Sequence, residues 1–408
     1  MPRVPVIRSQ KSQRTGDSPI NFFIQQAVEN PNAISLAAGL VDYESLPGAE
    51  TAAAVAEVLA QPQAAQLALQ YGVPQGYPAL RQRLLDRALA LDGVTAREVS
   101  LSADDVVVTT GSQQLLYLLC ELLVDPGDLV ITEAPSYFVM QQALDSAGAR
   151  SLTVPVDEQG MDLDALEALL LRLERSGDIA RLRFIYVVDY FQNPTGLSLS
   201  LPRRQRLVEL ARRFSRQHRI LIVEDAAYRE LRYDGPDLPS VKRFDPDNAH
   251  VILAYTFSKP LAPGLKTGYG LLPSELVAPL LHLKGNHDFG SNNLTQHLIE
   301  RLLVNGSYDR HVRTLCAVYR RKRDALLAAL DAVFPRSSGV RWTHPHGGLY
   351  VWLTFPDNVT TGTDSAFMQA AMREGVLYVP GQFCYLASGA GTLPQHQARL
   401  SFGVASLE

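Results

Sequence analysis

Residues 184–228 read FIYVVDYFQNPTGLSLSLPRRQRLVELARRFSRQHRILIVEDAAY. The run Phe184–Val188 is unbroken apolar or β-prone sequence and ends in a polar turn. A helical stretch, Arg203–Gln217, follows after Ser200, Leu201 and Pro202, which read as its cap and entry. A second apolar run, Ile220–Glu224, then closes on Asp225. Strands apolar on every residue are buried on both faces, and a strand–helix–strand unit of this kind places them parallel, with the helix as crossover.

The same rhythm extends outward in both directions. Upstream lie the β-rich runs Val106–Thr110, Leu129–Thr132 and Leu152–Val156, with helical patterns over Ser112–Leu123 and Leu163–Glu174. Downstream come Val251–Thr256 and Gly268–Leu272. The pattern predicts an open α/β sheet covered by helices. Past about residue 295 it changes. Two long helices, Leu294–Val304 and Tyr308–Val333, precede short β-like runs at Leu349–Thr354, Val376–Val379 and Ala398–Phe402. A large domain over 41–295 is therefore expected, with a smaller α+β domain from 1–40 and 296–408. The segment around Ile20–Leu40 would complete the smaller one, and Met1–Asp17 reads as a mobile arm.

Composition excludes several classes of function. A chain of 408 residues is too long for one ordinary core. A net charge of −4 gives no reason to expect nucleic acid or an anionic membrane as partner. No apolar run approaches the roughly 18–20 residues that span a bilayer, and the polar, basic N-terminus is no secretory signal. Cys120, Cys316 and Cys384 have neither metal-binding nor disulfide spacing and read as buried free thiols of a reducing, cytoplasmic compartment.

Ligands of open α/β sheets sit at the carboxyl ends of the strands. Four polar constellations fall there. Thr109-Thr110-Gly111-Ser112-Gln113 leads through glycine into a helix whose free N–H groups suit a phosphate, although a plain capped helix start reads the same way. Asn193-Pro194-Thr195-Gly196 is a turn sequence that also offers an amide. Glu224-Asp225 ends a buried strand, where a carboxylate needs a cation, from a protonated ring nitrogen or from an arginine. Thr256-Phe257-Ser258-Lys259 is followed by Lys266. A strand-end lysine is ordinarily a solvated charge, yet an interior one with a lowered pKa is the usual carbonyl-capturing amine. Together the four supply a Schiff-base lysine, a carboxylate for a pyridine nitrogen, an amide and phosphate donors, the set that pyridoxal phosphate requires.

On these motifs, from about Ser18 to Phe402, the chain resembles the class I/II, fold type I aminotransferases that depend on pyridoxal 5′-phosphate. Phe191-Gln192-Asn193-Pro194-Thr195-Gly196 and Ala37-Ala38-Gly39-Leu40 resemble the branch with 2-aminoadipate and kynurenine aminotransferases. The resemblance implies a seven-stranded, mostly parallel sheet between helices, a smaller α+β domain, and a homodimer with shared active sites. It implies that Lys259 carries the cofactor and moves the substrate proton, and that Asp225 keeps the ring nitrogen protonated. Asn193 and Tyr228 would bond the ring's phenolic oxygen, and Tyr137 would stack on its face. Gly111, Ser112, Gln113, Thr256, Ser258 and Lys266 would hold the phosphate, with Tyr71 reaching that of the neighbouring subunit. Gly39, Asn193 and Arg399 would bind substrate, Arg399 through its α-carboxylate.

The chain departs from the pattern at three points. Lys266 stands where the family usually has arginine, keeping the charge and losing the planar fork. Asn21, flanked by Phe22 and Phe23, stands where aminoadipate-type enzymes carry an arginine. With Leu40 and Tyr43, these residues predict a broad or apolar substrate pocket. Members also continue for one more helix past the position of Glu408. His344 and His346 lack a third ligand and are not expected to bind metal. The run Tyr319-Arg320-Arg321-Lys322-Arg323 reads as a solvated helix face. The expected reaction is ping-pong transfer of an α-amino group to a 2-oxo acid, with a lyase or decarboxylase on the same scaffold as the alternative. A transcription factor with this domain behind a winged helix is not expected, since only 17 polar residues precede Ser18.

Overall fold

The computed structural model describes residues 6–16, 25, 26, 29, 33–386 and 393–407. Its main sheet has eight strands: β1 (Val106–Thr109), β2 (Leu129–Ala134), β3 (Arg150–Asp157), β4 (Gly160–Met161), β5 (Leu182–Val187), β6 (Leu221–Asp225), β7 (Val251–Thr256) and β8 (Gly268–Leu271). Their order is β1-β8-β7-β6-β5-β2-β3-β4. The five strands from β7 to β3 in that order run parallel, and β8 runs antiparallel to both its neighbours. All seven predicted strands are present. The eighth, β4, is a two-residue turn back along β3 that the sequence reading missed.

Side-chain alternation explains the unbroken apolar runs. Phe184, Tyr186 and Val223 face a core shared with the helices Gly111–Leu123 and Phe138–Ala147. Ile185, Val187 and Ile222 face a second core with the helices Leu163–Ser176 and Leu201–Phe214. Each face needs its own apolar set, so no polar alternation survives. A four-stranded antiparallel sheet lies later in the chain: β9 (Arg341–Trp342), β10 (Tyr350–Thr354), β11 (Val379–Pro380) and β12 (Gln397–Ser401), in the order β9-β10-β12-β11. Ile34–Ser35 pairs in parallel with Val376–Leu377.

Several local expectations need correction. Ser200 occupies the N-cap position as read, but its hydroxyl makes no capping bond and donates instead to Gln159 Oε1 at 3.3 Å; the helix starts at Leu201 rather than Arg203, with Pro202 in its first turn. That helix ends at Phe214 rather than Gln217. Ser215 intervenes, donating to Ala211 O at 2.6 Å and accepting from Ile220 N at 2.9 Å. The described part of the N-terminal arm is docked rather than free. Gln10–Arg14 is a short helix, Lys11 Nζ donates to Tyr117 Oη at 2.8 Å and pairs with Glu121, and Arg14 reaches Ser146 O. That carbonyl lies at the negative end of the helix Phe138–Ala147, where a cation is favoured.

The run Tyr319–Arg323 is the clearest departure. It lies on the helix Ser307–Val333, but Tyr319, Lys322 and Arg323 are buried. Lys322 Nζ donates to Asp42 Oδ1 at 2.7 Å and to Gly403 O at 3.2 Å, tying together segments from opposite ends of the chain. Arg323 pairs with Asp234 at 2.6 Å. Charge count alone could not show this, because helical spacing puts residues 319, 322 and 323 on one side and Arg321 on the other. Replacing Lys322 with Ala strands a buried carboxylate, so urea unfolding should show a loss of about 2–4 kcal/mol. Arg321→Ala, on the exposed face, should stay within about 0.5 kcal/mol.

Candidate active site

The carboxyl ends of β1, β7, β6, β5 and β2 open on one side of the sheet, and a cavity of about 230 Å³ sits there. It is lined by Gly111, Ser112 and Gln113 after β1, Tyr137 after β2, Asn193 after β5, Asp225 and Tyr228 after β6, and Thr256, Ser258, Lys259 and Lys266 after β7. These eleven predicted residues fall at or after the ends of five strands, and the parallel register brings those ends to one side. A larger cleft of about 780 Å³ opens beside Trp342–His346. None of the predicted cofactor residues line it, so volume is no guide to the chemistry here.

One end of the cavity is built for an anion. Gly111 takes φ +73° and starts the helix Gly111–Leu123, presenting free N–H groups of the first turn. β8 passes close behind: a Cβ on Gly268 would lie 2.7 Å from Ser112 N. Thr256 Oγ1 and Ser258 Oγ bond each other at 2.9 Å, and Lys266, in a left-handed turn at φ +47°, adds a positive charge.

At the sheet end of the cavity Asp225 is buried. It accepts from Tyr186 Oη at 2.9 Å and from Ala227 N at 3.3 Å. Burial dominates over these bonds and raises its pKa to about 6. Lys259 is held below the ordinary lysine value, by burial first, with Arg399 and Lys266 adding to the effect and Tyr350 and Asp225 opposing it. Its Nζ donates to Gly39 O at 2.7 Å. The Tyr228 hydroxyl is pushed well above its usual pKa by burial and then by Tyr350, so it remains a donor.

Arg399, on β12, enters from the other sheet. Its Nη1 donates to Asn193 Oδ1 at 2.8 Å and its Nη2 to Ala37 O at 2.6 Å, while Nε is buried with no partner. The guanidinium lies between the rings of Tyr350 and Phe138, at 4.6 and 5.6 Å from their centroids. Tyr71 is apart from this group. It is exposed, beside Gly72 and Asn293 on a separate surface hollow. Asn21, Phe22 and Phe23 lie outside the described residues.

Two site residues were not anticipated. Tyr186 was legible in principle, since it faces the same side as Val188 on a strand paired with β6. Tyr350 was not, because it comes from β10 and only the packing of the two sheets brings its hydroxyl to 3.1 Å from Tyr228 Oη.

The profile of the family described as aminotransferase class I and II matches residues 31–406. The chain belongs to the class I and II aminotransferases. It is 36% identical over 355 residues to the aromatic-amino-acid aminotransferase 1 of Thermococcus litoralis, covering 87% of this chain and 81% of that one. It is 35% identical over 382 residues to the 2-aminoadipate transaminase of Thermus thermophilus, covering 93% and 88%. The structure of the Pyrococcus horikoshii kynurenine aminotransferase, in complex with PMP, superposes with a TM-score of 0.88 at 31% identity, covering 98% of this chain and 93% of that one. This aminotransferase is a pyridoxal-phosphate-dependent transaminase, and the cavity fits that cofactor. A buried carboxylate without a cation awaits a protonated nitrogen, and the anion cradle suits the phosphate.

The sign of the Asp225 shift can be tested. With a pKa of about 6 in the folded chain against 3.8 ordinarily, the folded state holds the proton longer than the unfolded one. Stability of the cofactor-free enzyme is therefore highest below pH 4 on this account and falls as pH rises through 6, by roughly 2–3 kcal/mol. Asp225→Asn should stabilise the cofactor-free chain at pH 7.5 in thermal melts while weakening cofactor retention on dialysis.

Proposed function

We propose that this aminotransferase transfers the α-amino group of an apolar or aromatic amino acid to a 2-oxo acid by a ping-pong mechanism, with Lys259 as the base. The observation that carries the roles is the cavity itself, where an amine of lowered pKa, a buried carboxylate and a guanidinium converge. When bound, pyridoxal phosphate supplies the carbonyl that accepts the amino group and the ring that spreads the charge left by the Cα proton.

The chain's own groups do the rest. Asp225 would keep the ring nitrogen protonated, since a cation there would relieve the cost of burying the carboxylate. Thr256, Ser258, Lys266 and the N–H groups after Gly111 hold the phosphate, and Tyr137 packs against the ring. Asn193 and Tyr228 donate to the phenolic oxygen. Arg399 gives up Asn193 and Ala37 for the substrate carboxylate, a charged acceptor that bonds a guanidinium more strongly than a neutral carbonyl. Lys259, freed when substrate takes its place, removes the Cα proton, and burial, which lowers its pKa, favours the neutral amine that this step needs. Gly39 leaves room for substrate where any side chain would meet Tyr350.

An apolar or aromatic donor is favoured by Leu40 and Tyr43, both partly exposed just after Gly39. The names of the aromatic-amino-acid and kynurenine relatives point the same way. We take residues 41–295 as the large domain and 1–40 with 296–408 as the small one, a division supported by the separate sheets. A homodimer belongs to the same reading. Leu67, Leu69, Tyr71 and Val73 are exposed within one short stretch, and Phe289 is exposed as well, apolar surface that a partner subunit would cover. Tyr71 would then complete the partner's phosphate site. The reading includes a cytoplasmic location, supported by three free thiols; among the described residues no helix is long and apolar enough to cross a membrane.

Single amino acids added without any 2-oxo acid should bleach the visible band of the purified enzyme, apolar and aromatic donors fastest. Release of ammonia or CO₂ instead would favour a lyase or decarboxylase. Arg399→Lys keeps the charge and loses the fork, so steady-state kinetics should show kcat/KM down about 10- to 100-fold, from loss of a charge-assisted bond. For the shared site, Lys259→Ala and Tyr71→Ala chains should each be weak alone and regain activity when refolded together. No recovery in a mixture shown to contain heterodimers would argue that each site is built from a single chain.

A further inference from the structure

Tyr350 is held with little slack. A Cβ on Gly39 would lie 2.5 Å from its hydroxyl oxygen, and one on Gly196 2.5 Å from its carbonyl. Its ring meets Tyr228 edge-on, with centroids 5.6 Å apart. Its hydroxyl lies 3.1 Å from Tyr228 Oη and 3.4 Å from Asn193 Nδ2.

The direction of these bonds follows from donor chemistry. A guanidinium only donates, so the Asn193 atom facing Arg399 at 2.8 Å is the carbonyl oxygen, and the NH₂ group faces Tyr350. The Tyr350 oxygen accepts from that NH₂ group. Either hydroxyl can donate across the 3.1 Å Tyr350–Tyr228 contact; with Tyr350 as its donor, the Tyr228 O–H is left for the cavity. Donors in series polarise one another, so each strengthens the next.

We propose that Tyr350 is a positioning residue that joins Arg399, Asn193 and Tyr228 into one directed relay, from the substrate-carboxylate arginine to the donor at the cofactor's phenolic oxygen. Tyr350 comes from β10, whereas Asn193 and Tyr228 follow strands of the main sheet. The seating of one sheet on the other therefore sets how strongly Tyr228 donates. This inference rests on Lys259 carrying the cofactor.

The experiment is a pH titration of the visible absorption of cofactor-loaded enzyme, without substrate. Stabilising the phenolic oxygen as an anion helps the adjoining Lys259 linkage to lose its proton. Weakening that stabilisation in Tyr350→Phe should raise the titration midpoint by about half a pH unit or more. Tyr228→Phe should raise it further. In the Tyr228→Phe background, adding Tyr350→Phe should change nothing, because Tyr350 acts through Tyr228. A midpoint unmoved by Tyr350→Phe, or one moved equally in both backgrounds, overturns the relay while leaving the cofactor assignment intact. Absence of a band that borohydride fixes to Lys259 overturns both. A purely structural role would show in thermal stability and not in this background dependence.

Discussion

A carboxylate taken out of water with no cation beside it is costly, and Asp225 is in that position. It ends β6 in the middle of the sheet, where, among the described residues, Tyr186 and the Ala227 N–H are its hydrogen-bond donors. Much of the site is arranged around that cost. Lys259 lines the same cavity, and its charge opposes the burial cost of Asp225 without overcoming it. A ligand that carries a protonated ring nitrogen removes the penalty, which couples cofactor binding to the stability of the fold.

The other charges behind the site are treated differently. Arg204 is wholly buried, bonded to Asp189 and Leu199 O, with its guanidinium 4.1 Å from the ring of Tyr190. Arg229 pairs with Asp92, and Lys242 is surrounded by Asp245, Asn248 and Val251 O. These charges are paired within the chain, and Arg204 and Arg229 tie down the segments on either side of Asn193 and next to Tyr228. Arg399 is intermediate. It is buried and bonded, but its partners are a neutral amide and a carbonyl, which a substrate carboxylate can outcompete.

How much was legible depended on distance along the chain. The unbroken apolar runs named all seven main strands, because helices on both faces demand apolar residues on both faces. The strand-end rule then selected ten of the cavity residues. A boundary slipped where a side chain competed with the backbone, as at Ser215. Lys322 and Arg323 were misread as solvated, since a charge run shows which residues are cationic and not which carboxylate another segment brings to meet them. Asn21, Phe22 and Phe23 lie outside the described residues and take no part in the comparison.

What the sequence by itself determined was therefore the α/β sheet, the polar turns at its strand ends, and the kind of chemistry those turns support. Each follows from periodicity and residue type within short stretches. The tertiary structure alone decided which residues from the later sheet complete the site. Arg399 was found by family resemblance and not by spacing, and Tyr350 was not found at all. Both sit on strands more than a hundred residues from their partners, and their contacts with Asn193 and Tyr228 exist only in the folded chain, where Gly39 and Gly196 approach Tyr350 with no side chain in the way.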